Sequence, residues 1–185
     1  QWPSSAASDV YKRQLEGTGS MVFDHENRLA FACRSSRTNE QLLKDFCETI
    51  AYTPIIFDAN DSNGHPIYHT NVLMNVGENY IVICYEAVKA EDQPYLMEVF
   101  NKTGKDLIYI SHEQMNSFAG NMLELKGKDG LLTILSKTAF DALNKQQLDQ
   151  INQASTLTPI AIPTIEKLGG GSVRCMMAEI FLPHL

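Results

Sequence analysis

The stretch that decides the fold is residues 19–57, GSMVFDHENRLAFACRSSRTNEQLLKDFCETIAYTPIIF. Its first half contains two apolar runs separated by a polar turn at residues 24–27, which predicts two antiparallel strands joined as a hairpin. Its second half predicts a helix around Glu40–Ile50 and then a further apolar strand. The stretch therefore forms one unit with the order strand, tight turn, strand, helix, strand.

The same order of elements returns twice. Residues 70–110 repeat it with a helix near residues 93–102, and residues 120–162 repeat it with a helix near residues 138–150. The turns of all three units carry Asn, Asp or Gly, which tolerate the positive φ angles of tight hairpins. The sequence thus predicts an α/β fold built from three copies of one supersecondary unit.

The spacing of the units indicates a radial repeat. Ser20, Asn71 and Asn121 occupy equivalent places in the three units. Their spacing of about 50 residues is typical of propellers and arrays, in which each unit stacks on its neighbours. After the third unit, VRCMMAEIFL at residues 173–182 is expected to form one more strand.

A radial repeat brings equivalent positions of different units into one central space. Glu16, His69 and Cys175 each lie at or just before the first strand of a unit, so we expect them to meet in one site. Such a set can support nucleophilic catalysis, because a nearby imidazolium favours the thiolate and a carboxylate orients the imidazole. Gly169, Gly170 and Gly171, just before the cysteine, would let the backbone approach a substrate closely.

Each of these residues also has a structural interpretation. A cysteine in an apolar segment is most often a core residue, and we assign that role to Cys33, Cys47 and Cys84. If Cys175 were buried in the same way, the chain would be a non-catalytic binding or scaffold propeller. The placement of three reactive residue types at repeat-equivalent positions favours the enzyme.

The composition excludes several classes of partner. The chain has 185 residues and a net charge of −7, without the basic stripe that binds a phosphate backbone. It has no apolar run long enough to span a bilayer. Its four cysteines form no CxxC pair and no zinc-binding spacing with histidine, so we expect no metal and a reducing, cytoplasmic location.

The segment at residues 1–14, QWPSSAASDVYKRQ, does not continue into the repeat pattern. It has neither the charged start and apolar centre of a signal peptide nor a helix or strand period. We interpret residues 1–14 as a foreign, adapter-derived segment, with a short disordered arm as the alternative. Residues 15–185 would then be the C-terminal part of a single catalytic domain.

Five motifs together resemble the guanidine-modifying superfamily of arginine deiminases, dimethylarginine hydrolases and amidinotransferases. They are LEGTGSMVFD, RSSRTN, PIYHTNVLM, FAGNMLEL and GGGSVRCMMAEI, and they follow the order of that superfamily over almost all of residues 15–183. The resemblance is strongest to its bacterial arginine-deiminase-related branch, which includes citrulline-utilisation hydrolases. It implies a five-fold α/β propeller, or pentein, of which about three of five units are present here.

The resemblance also implies roles for individual residues. Cys175 is similar to the nucleophile that attacks a guanidinium or ureido carbon, His69 to the general acid and base, and Glu16 to its acidic partner. Arg37 resembles the arginine that binds the substrate α-carboxylate, a contact suited to the planar guanidinium fork. Asn121 is expected either to line the substrate channel or to close a turn. No metal or organic cofactor is implied.

One departure from the superfamily bears on the substrate. Arginine deiminases carry Asp two residues after the catalytic histidine, where this chain has Asn71. An amide both donates and accepts hydrogen bonds, which suits a neutral ureido group better than a cation. We therefore predict hydrolysis of citrulline to ornithine, ammonia and carbon dioxide, with arginine deiminase, dimethylarginine hydrolase and amidinotransferase as alternatives.

The expected partner is a small amino-acid substrate, citrulline or an arginine-like compound, and a homo-oligomer is one of the assembly states considered. Because two units of the ring would be missing, we expect this chain by itself to be inactive or poorly stable. Unpaired strand edges and apolar faces would be left exposed.

Overall fold

Three small mixed sheets, formed one after another along the chain, make up the fold in this computed structural model. The structure describes residues 14–178. Most of the interpretation of residues 1–14 as a foreign segment therefore falls outside the described residues. Gln14 is described, and its carbonyl oxygen accepts a hydrogen bond from the Asn39 N–H at 2.6 Å.

The elements of the three units follow the predicted order. The first unit consists of α1 (Gly17–Ser20), β1 (Val22–Asp24), β2 (Leu29–Cys33), α2 (Glu40–Ile50) and β3 (Thr53–Phe57). The second consists of α3 (Thr70–Leu73), β4 (Met74–Val76), β5 (Tyr80–Ile83), a 3-10 turn (Tyr85–Ala87), α4 (Gln93–Thr103) and β6 (Asp106–Tyr109). After α5 (His112–Asn116), the third consists of β7 (Leu123–Gly127), β8 (Gly130–Ser136), α6 (Lys137–Ala142), α7 (Lys145–Ala154) and β9 (Thr156–Ile160). The described chain continues through α8 (Pro163–Gly169) and a second 3-10 turn (Val173–Met176).

All three sheets have the same topology. In each, the first two strands form an antiparallel hairpin, and the third strand returns through a helix to lie parallel to the second. The middle strand β5 (YIVI) is buried along its whole length, which explains its continuous apolar run. Leu96 and Phe100 of α4 belong to the same buried cluster, so this helix covers the sheet.

Side-chain hydrogen bonds that each link residues 50 apart in the sequence join the successive units. Thr70 Oγ1 donates to the Ser20 carbonyl oxygen at 2.6 Å and accepts from the Cys33 N–H at 2.9 Å. Asn121 Nδ2 donates to the Asn71 carbonyl oxygen at 3.1 Å. The first strands of neighbouring units also contact one another, β1 with β4 and β4 with β7. The period found in the sequence is thus a real spatial repeat of three units.

Two predictions about secondary structure were wrong in detail. The helix expected over residues 138–150 is divided into α6 and α7, because Asn144 starts a new helix with a capping box to Gln147. The segment at residues 173–182 does not begin as a strand: Cys175 lies in a 3-10 turn whose local bonds run from Cys175 N–H to Ser172 O and from Met177 N–H to Arg174 O. Residues 179–182 lie outside the described residues.

Across residues 14–178, none of the helices is both long and apolar enough to cross a membrane.

The buried hydroxyl of Thr70 provides a test of how strongly the first two units are coupled. Replacing Thr70 with Val keeps the shape but leaves the Cys33 N–H and the Ser20 carbonyl without their partner, at a cost of about 1–3 kcal/mol for each group. We expect T70V to lower the free energy of unfolding by about 2–4 kcal/mol in urea titrations. The matched control T49V, at an exposed site on α2, should stay within about 0.5 kcal/mol of the parent. A T70V variant as stable as T49V would show that this link carries no stability.

Candidate active site

Glu16 is held in place by the turn that precedes β1. Its N–H donates to Ser20 Oγ at 2.9 Å, and Ser20 Oγ donates in turn to the Arg37 carbonyl oxygen at 2.7 Å. Its carboxylate is shared between two partners: Oε1 accepts from Arg37 at 2.8 Å, and Oε2 lies 2.7 Å from His69 Nε2. These hydrogen bonds, first that of Arg37 and then that of His69, lower the pKa of the Glu16 carboxyl.

His69 stands immediately before α3, with its imidazole against the first unit. A Cβ atom at Gly19 would lie only 2.9 Å from three atoms of the ring, so the ring is packed on a surface that only glycine provides. Tyr68 packs on the ring as well, with centroids 4.8 Å apart. With Glu16 bound at Nε2, Nδ1 is the ring atom available for proton transfer.

Cys175 presents its thiol to two amide groups from the other units. Its Sγ lies 3.4 Å from Asn121 Nδ2 and 3.9 Å from Asn71 Nδ2. Asn121 is itself fixed, because its Oδ1 accepts from the Arg174 N–H at 3.1 Å and its Nδ2 donates to the Asn71 carbonyl. The thiol can also donate to Asn121 Oδ1, which lies 3.7 Å from Sγ. Both asparagines are buried, whereas Cys175 is exposed.

The glycine run has two separate structural functions. Gly170 follows α8 in the left-handed conformation, with φ of 66°. A Cβ at Gly171 would lie 3.4 Å from Cβ and Sγ of Cys175, which shows how closely the backbone approaches the thiol. The loop is then tied down by Ser172 Oγ, which donates to Glu166 at 2.7 Å. The expected close approach therefore occurs, and its observed neighbour is the cysteine itself.

A cavity of about 200 Å³ adjoins Cys175. Its walls include Tyr68, Met115, Phe118, Asn121 and Gly171, and none of its described lining residues is a carboxylate. A larger cavity of about 410 Å³ lies around the hairpin turns of the three units. None of the predicted site residues lines that cavity. Cys175 and Asn121 line the smaller one, so we place the candidate site there.

The structure brings the predicted site residues into two adjoining groups. Glu16, His69 and Arg37 form the first, and Cys175, Asn71 and Asn121 form the second. Tyr68 joins them, because it packs on the His69 ring and lines the cavity beside the thiol. Among residues 14–178, no hydrogen bond runs directly between His69 and Cys175. Arg37, which was expected to bind a substrate carboxylate, is paired with Glu16.

Sequence reasoning missed Gly19 and Tyr68. The signal for Gly19 was the pair of glycines in GTGS just before the first strand. Tyr68 lies inside the motif PIYHTNVLM, but its contact with both groups depends on how separate segments pack.

The remaining cysteines are buried, as predicted for core residues. Burial raises the pKa of Cys33 to about 11 and that of Cys84 to about 12. Burial also raises the pKa of Cys47. None of these thiols is poised to react at neutral pH.

The sequence agrees with one protein family over nearly its whole length. The family model described as "N,N dimethylarginine dimethylhydrolase, eukaryotic" matches residues 4–182. The chain belongs to this family. It is therefore a member of the guanidino-modifying pentein superfamily, as the five motifs predicted. No curated protein sequence matches the chain.

Solved structures share the fold at low sequence identity. The cyanobacterial arginine dihydrolase ArgZ aligns at 16% identity with a TM-score of 0.68, over 88% of this chain and 24% of its own. AgrE, crystallised with ornithine and NAD+, aligns at 16% identity with a TM-score of 0.69, over 92% and 23%. Agmatine deiminase of C. jejuni aligns at 17% identity with a TM-score of 0.51, over 87% and 54%.

These alignments establish a pentein-like α/β architecture for this chain. The chain spans about a quarter of ArgZ and AgrE and just over half of agmatine deiminase.

The environments of the four cysteines predict selective labelling. In the native protein, iodoacetamide should modify Cys175 at least about 100-fold faster than the buried cysteines, because a buried thiol is both inaccessible and protonated. Peptide mass spectrometry after timed labelling measures each rate. The variant C175S should lose the fast phase, whereas C47S should keep it. Equal rates at Cys175 and Cys33 in folded protein would contradict this assignment.

Proposed function

We propose that this chain carries the nucleophile and the acid–base pair of a cysteine-dependent hydrolase that cleaves a C–N bond in the guanidino group of an arginine-type amino acid. The observation that carries the proposal is the thiol of Cys175, placed against two amide groups and linked to the Glu16–His69 pair through Tyr68. Membership of the dimethylarginine dimethylhydrolase family supports the guanidino group as the reacting centre.

In the first half of the reaction, Cys175 Sγ as thiolate attacks the central guanidino carbon. A new S–C bond forms, and the electron pair of one C=N bond moves to nitrogen. The C–N bond to the leaving amine then breaks as His69 donates a proton to that nitrogen. The products of this half are a free amine and a covalent thiouronium adduct on Cys175.

In the second half, water resolves the adduct. His69, now neutral, takes a proton from the water, whose oxygen attacks the same carbon. The S–C bond then breaks, the sulfur leaves as thiolate, and the substrate carbon is released as a ureido group. The remaining hydroxyl proton passes to the amine released in the first half. Glu16 holds the imidazole by Nε2 throughout, so that Nδ1 exchanges the proton in both halves.

The walls of the cavity suit a guanidinium group even without a lining carboxylate. Tyr68 and Phe118 supply aromatic faces, and such faces attract cations by about 0.5–2 kcal/mol. The thiolate of Cys175 supplies a negative charge at the reacting carbon. We assign Arg37 to the substrate α-carboxylate: its side chain is half exposed, so it can reach a ligand while it remains paired with Glu16.

Citrulline, the substrate predicted from Asn71, remains a second candidate. One observation favours it: Asn71 and Asn121 place amides, which both donate and accept, where a neutral ureido group would bind. The relatives named above are described by dimethylarginine, arginine or agmatine rather than citrulline. For that reason arginine-type substrates come first.

The five-unit ring is part of this proposal. The three described units follow one another at a spacing of about 50 residues and contact one another through their first strands. We propose that they form consecutive parts of a five-fold propeller.

A substrate panel tests the proposal. The protein, in the form its gene encodes, is incubated separately with arginine, dimethylarginine and citrulline, while ammonia, dimethylamine, citrulline and ornithine are measured. We expect citrulline to appear from one of the guanidino substrates, together with ammonia or dimethylamine. C175A should reduce turnover to background and C47A should keep it, because only Cys175 reaches the cavity.

Ornithine from citrulline, with no turnover of either guanidino compound, would instead favour the second candidate. Turnover that survives in C175A would overturn the assignment of the nucleophile.

Gly19 tests whether the position of His69 matters for turnover. A methyl group in G19A would push the imidazole away from Glu16, and a displacement of about 1 Å can reduce kcat by about 100-fold. We expect kcat of G19A to fall by roughly 10- to 100-fold while urea unfolding shows a folded protein. The control G169A, where a Cβ would make only an ordinary contact with Ile165, should keep kcat within about twofold. An unchanged kcat in G19A would show that the packing of His69 on Gly19 is not required.

A further inference from the structure

A second cluster of reactive side chains lies outside the candidate active site. Cys84, Glu86 and His112 each offer one ligand atom, and these atoms all lie within 4.8 Å of one another. Cys84 and Glu86 belong to the turn after β5, and His112 is the first residue of α5. A thiol, a carboxylate and an imidazole are thus gathered from two segments that α4 and β6 separate in the sequence.

Hydrogen bonds of the backbone hold these three residues in position. Cys84 is tied to the second unit by its N–H, which donates to the Leu73 carbonyl oxygen at 2.9 Å, and its own carbonyl accepts from the Ala87 N–H at 3.1 Å. The His112 N–H donates to Glu86 Oε1 at 2.5 Å, which fixes the carboxylate against the start of α5. The cluster is therefore built by the fold and does not depend on flexible surface side chains alone.

The imidazole of His112 has an unsatisfied buried atom. Its Nδ1 is buried, and within the described part of the chain it has no hydrogen-bond partner. A buried polar atom left unpaired costs about 1–3 kcal/mol, and such atoms are uncommon in native proteins. Cys84 beside it is completely buried, whereas Glu86 reaches solvent. The thiol of the cluster is therefore buried, whereas its carboxylate is open to solvent.

We propose that Cys84, Glu86 and His112 form a binding site for a divalent transition-metal ion of the zinc class. Sulfur, imidazole nitrogen and carboxylate oxygen are the ligands that Zn²⁺ uses in proteins, usually four in tetrahedral arrangement. Three come from this chain, and solvent at the exposed Glu86 side supplies the fourth as water. On binding, the ion displaces the thiol proton of Cys84 to the buffer.

The position of the site connects it to the cavity at Cys175. α5 begins at His112, and its residues Met115 and Asn116 line that cavity. An ion shared between α5 and the turn after β5 would hold one wall of the cavity against the second unit. This inference does not rest on the proposed catalytic function, because no ligand of the ion belongs to the candidate active site.

Metal titration of the whole chain tests the proposal. The experiment uses the C175A background, so that the exposed thiol cannot bind the ion. Zn²⁺ titrated against a chromophoric chelator should show one site per chain. Co²⁺ as a probe should give a thiolate-to-cobalt charge-transfer absorption. Adding C84S should abolish that absorption, and adding H112Q should weaken Zn²⁺ binding by at least about 10-fold.

Matched controls separate the site from general effects. C47S removes another buried thiol, and H65Q removes an exposed histidine; both should leave Co²⁺ absorption and Zn²⁺ affinity unchanged. If C84S does not fold, H112Q carries the comparison, because its side chain is only partly buried.

Absence of the charge-transfer absorption in folded C175A would overturn the proposal. So would Zn²⁺ binding that is present with Cys175 intact and lost in C175A, since the ion would then occupy the active-site thiol.

Discussion

The buried side-chain hydrogen bonds that link each unit to the one before it are the constraint on which the site depends. Thr70 bonds to Ser20 in the unit before it, and Asn121 bonds to Asn71 in the same way. Thr70 follows His69, and Ser20 holds Glu16, so the first bond positions the Glu16–His69 pair. Asn71 and Asn121 lie against the Cys175 thiol, so the second bond sets the surroundings of that thiol. Structural polar contacts and reactive groups are thus neighbours along the chain.

Arg37 adds an ion pair with Glu16 to these hydrogen bonds. It lies against the carboxylate of Glu16, which also holds His69. A carboxylate hydrogen-bonded in this way remains ionised, and an ionised carboxylate keeps the imidazole in one orientation. Since part of the Arg37 side chain is exposed, a ligand carboxylate that approached it would join an existing charge network. Binding and orientation of the base would then be coupled through one guanidinium.

The repeat could be predicted because apolar periodicity and turn residues are local properties of the sequence. Within the described residues, these local properties predict the order of elements in each unit and the location of the turns. They also predict that Cys33, Cys47 and Cys84 are buried. The split between α6 and α7 depends on one residue, Asn144, which caps the start of a new helix. The apolar pattern is the same for one long helix and for two short ones, so it does not predict this split. The 3-10 turn at Cys175 was missed because VRCMMAEIFL has the composition of a strand, while the local bonds from Ser172 and Arg174 decide its conformation. Contacts made by packing between units were beyond the sequence: Tyr68 joins both parts of the site only because separate segments converge.

The distribution of the site along the chain has a consequence for biosynthesis. Glu16 is translated before His69, and Cys175 follows only after all three units have been made. In a growing chain the Glu16–His69 pair can therefore form before Cys175 has been synthesised. The Cys175 thiol meets Asn71 and Asn121 only when residues 170–178 pack against the second and third units.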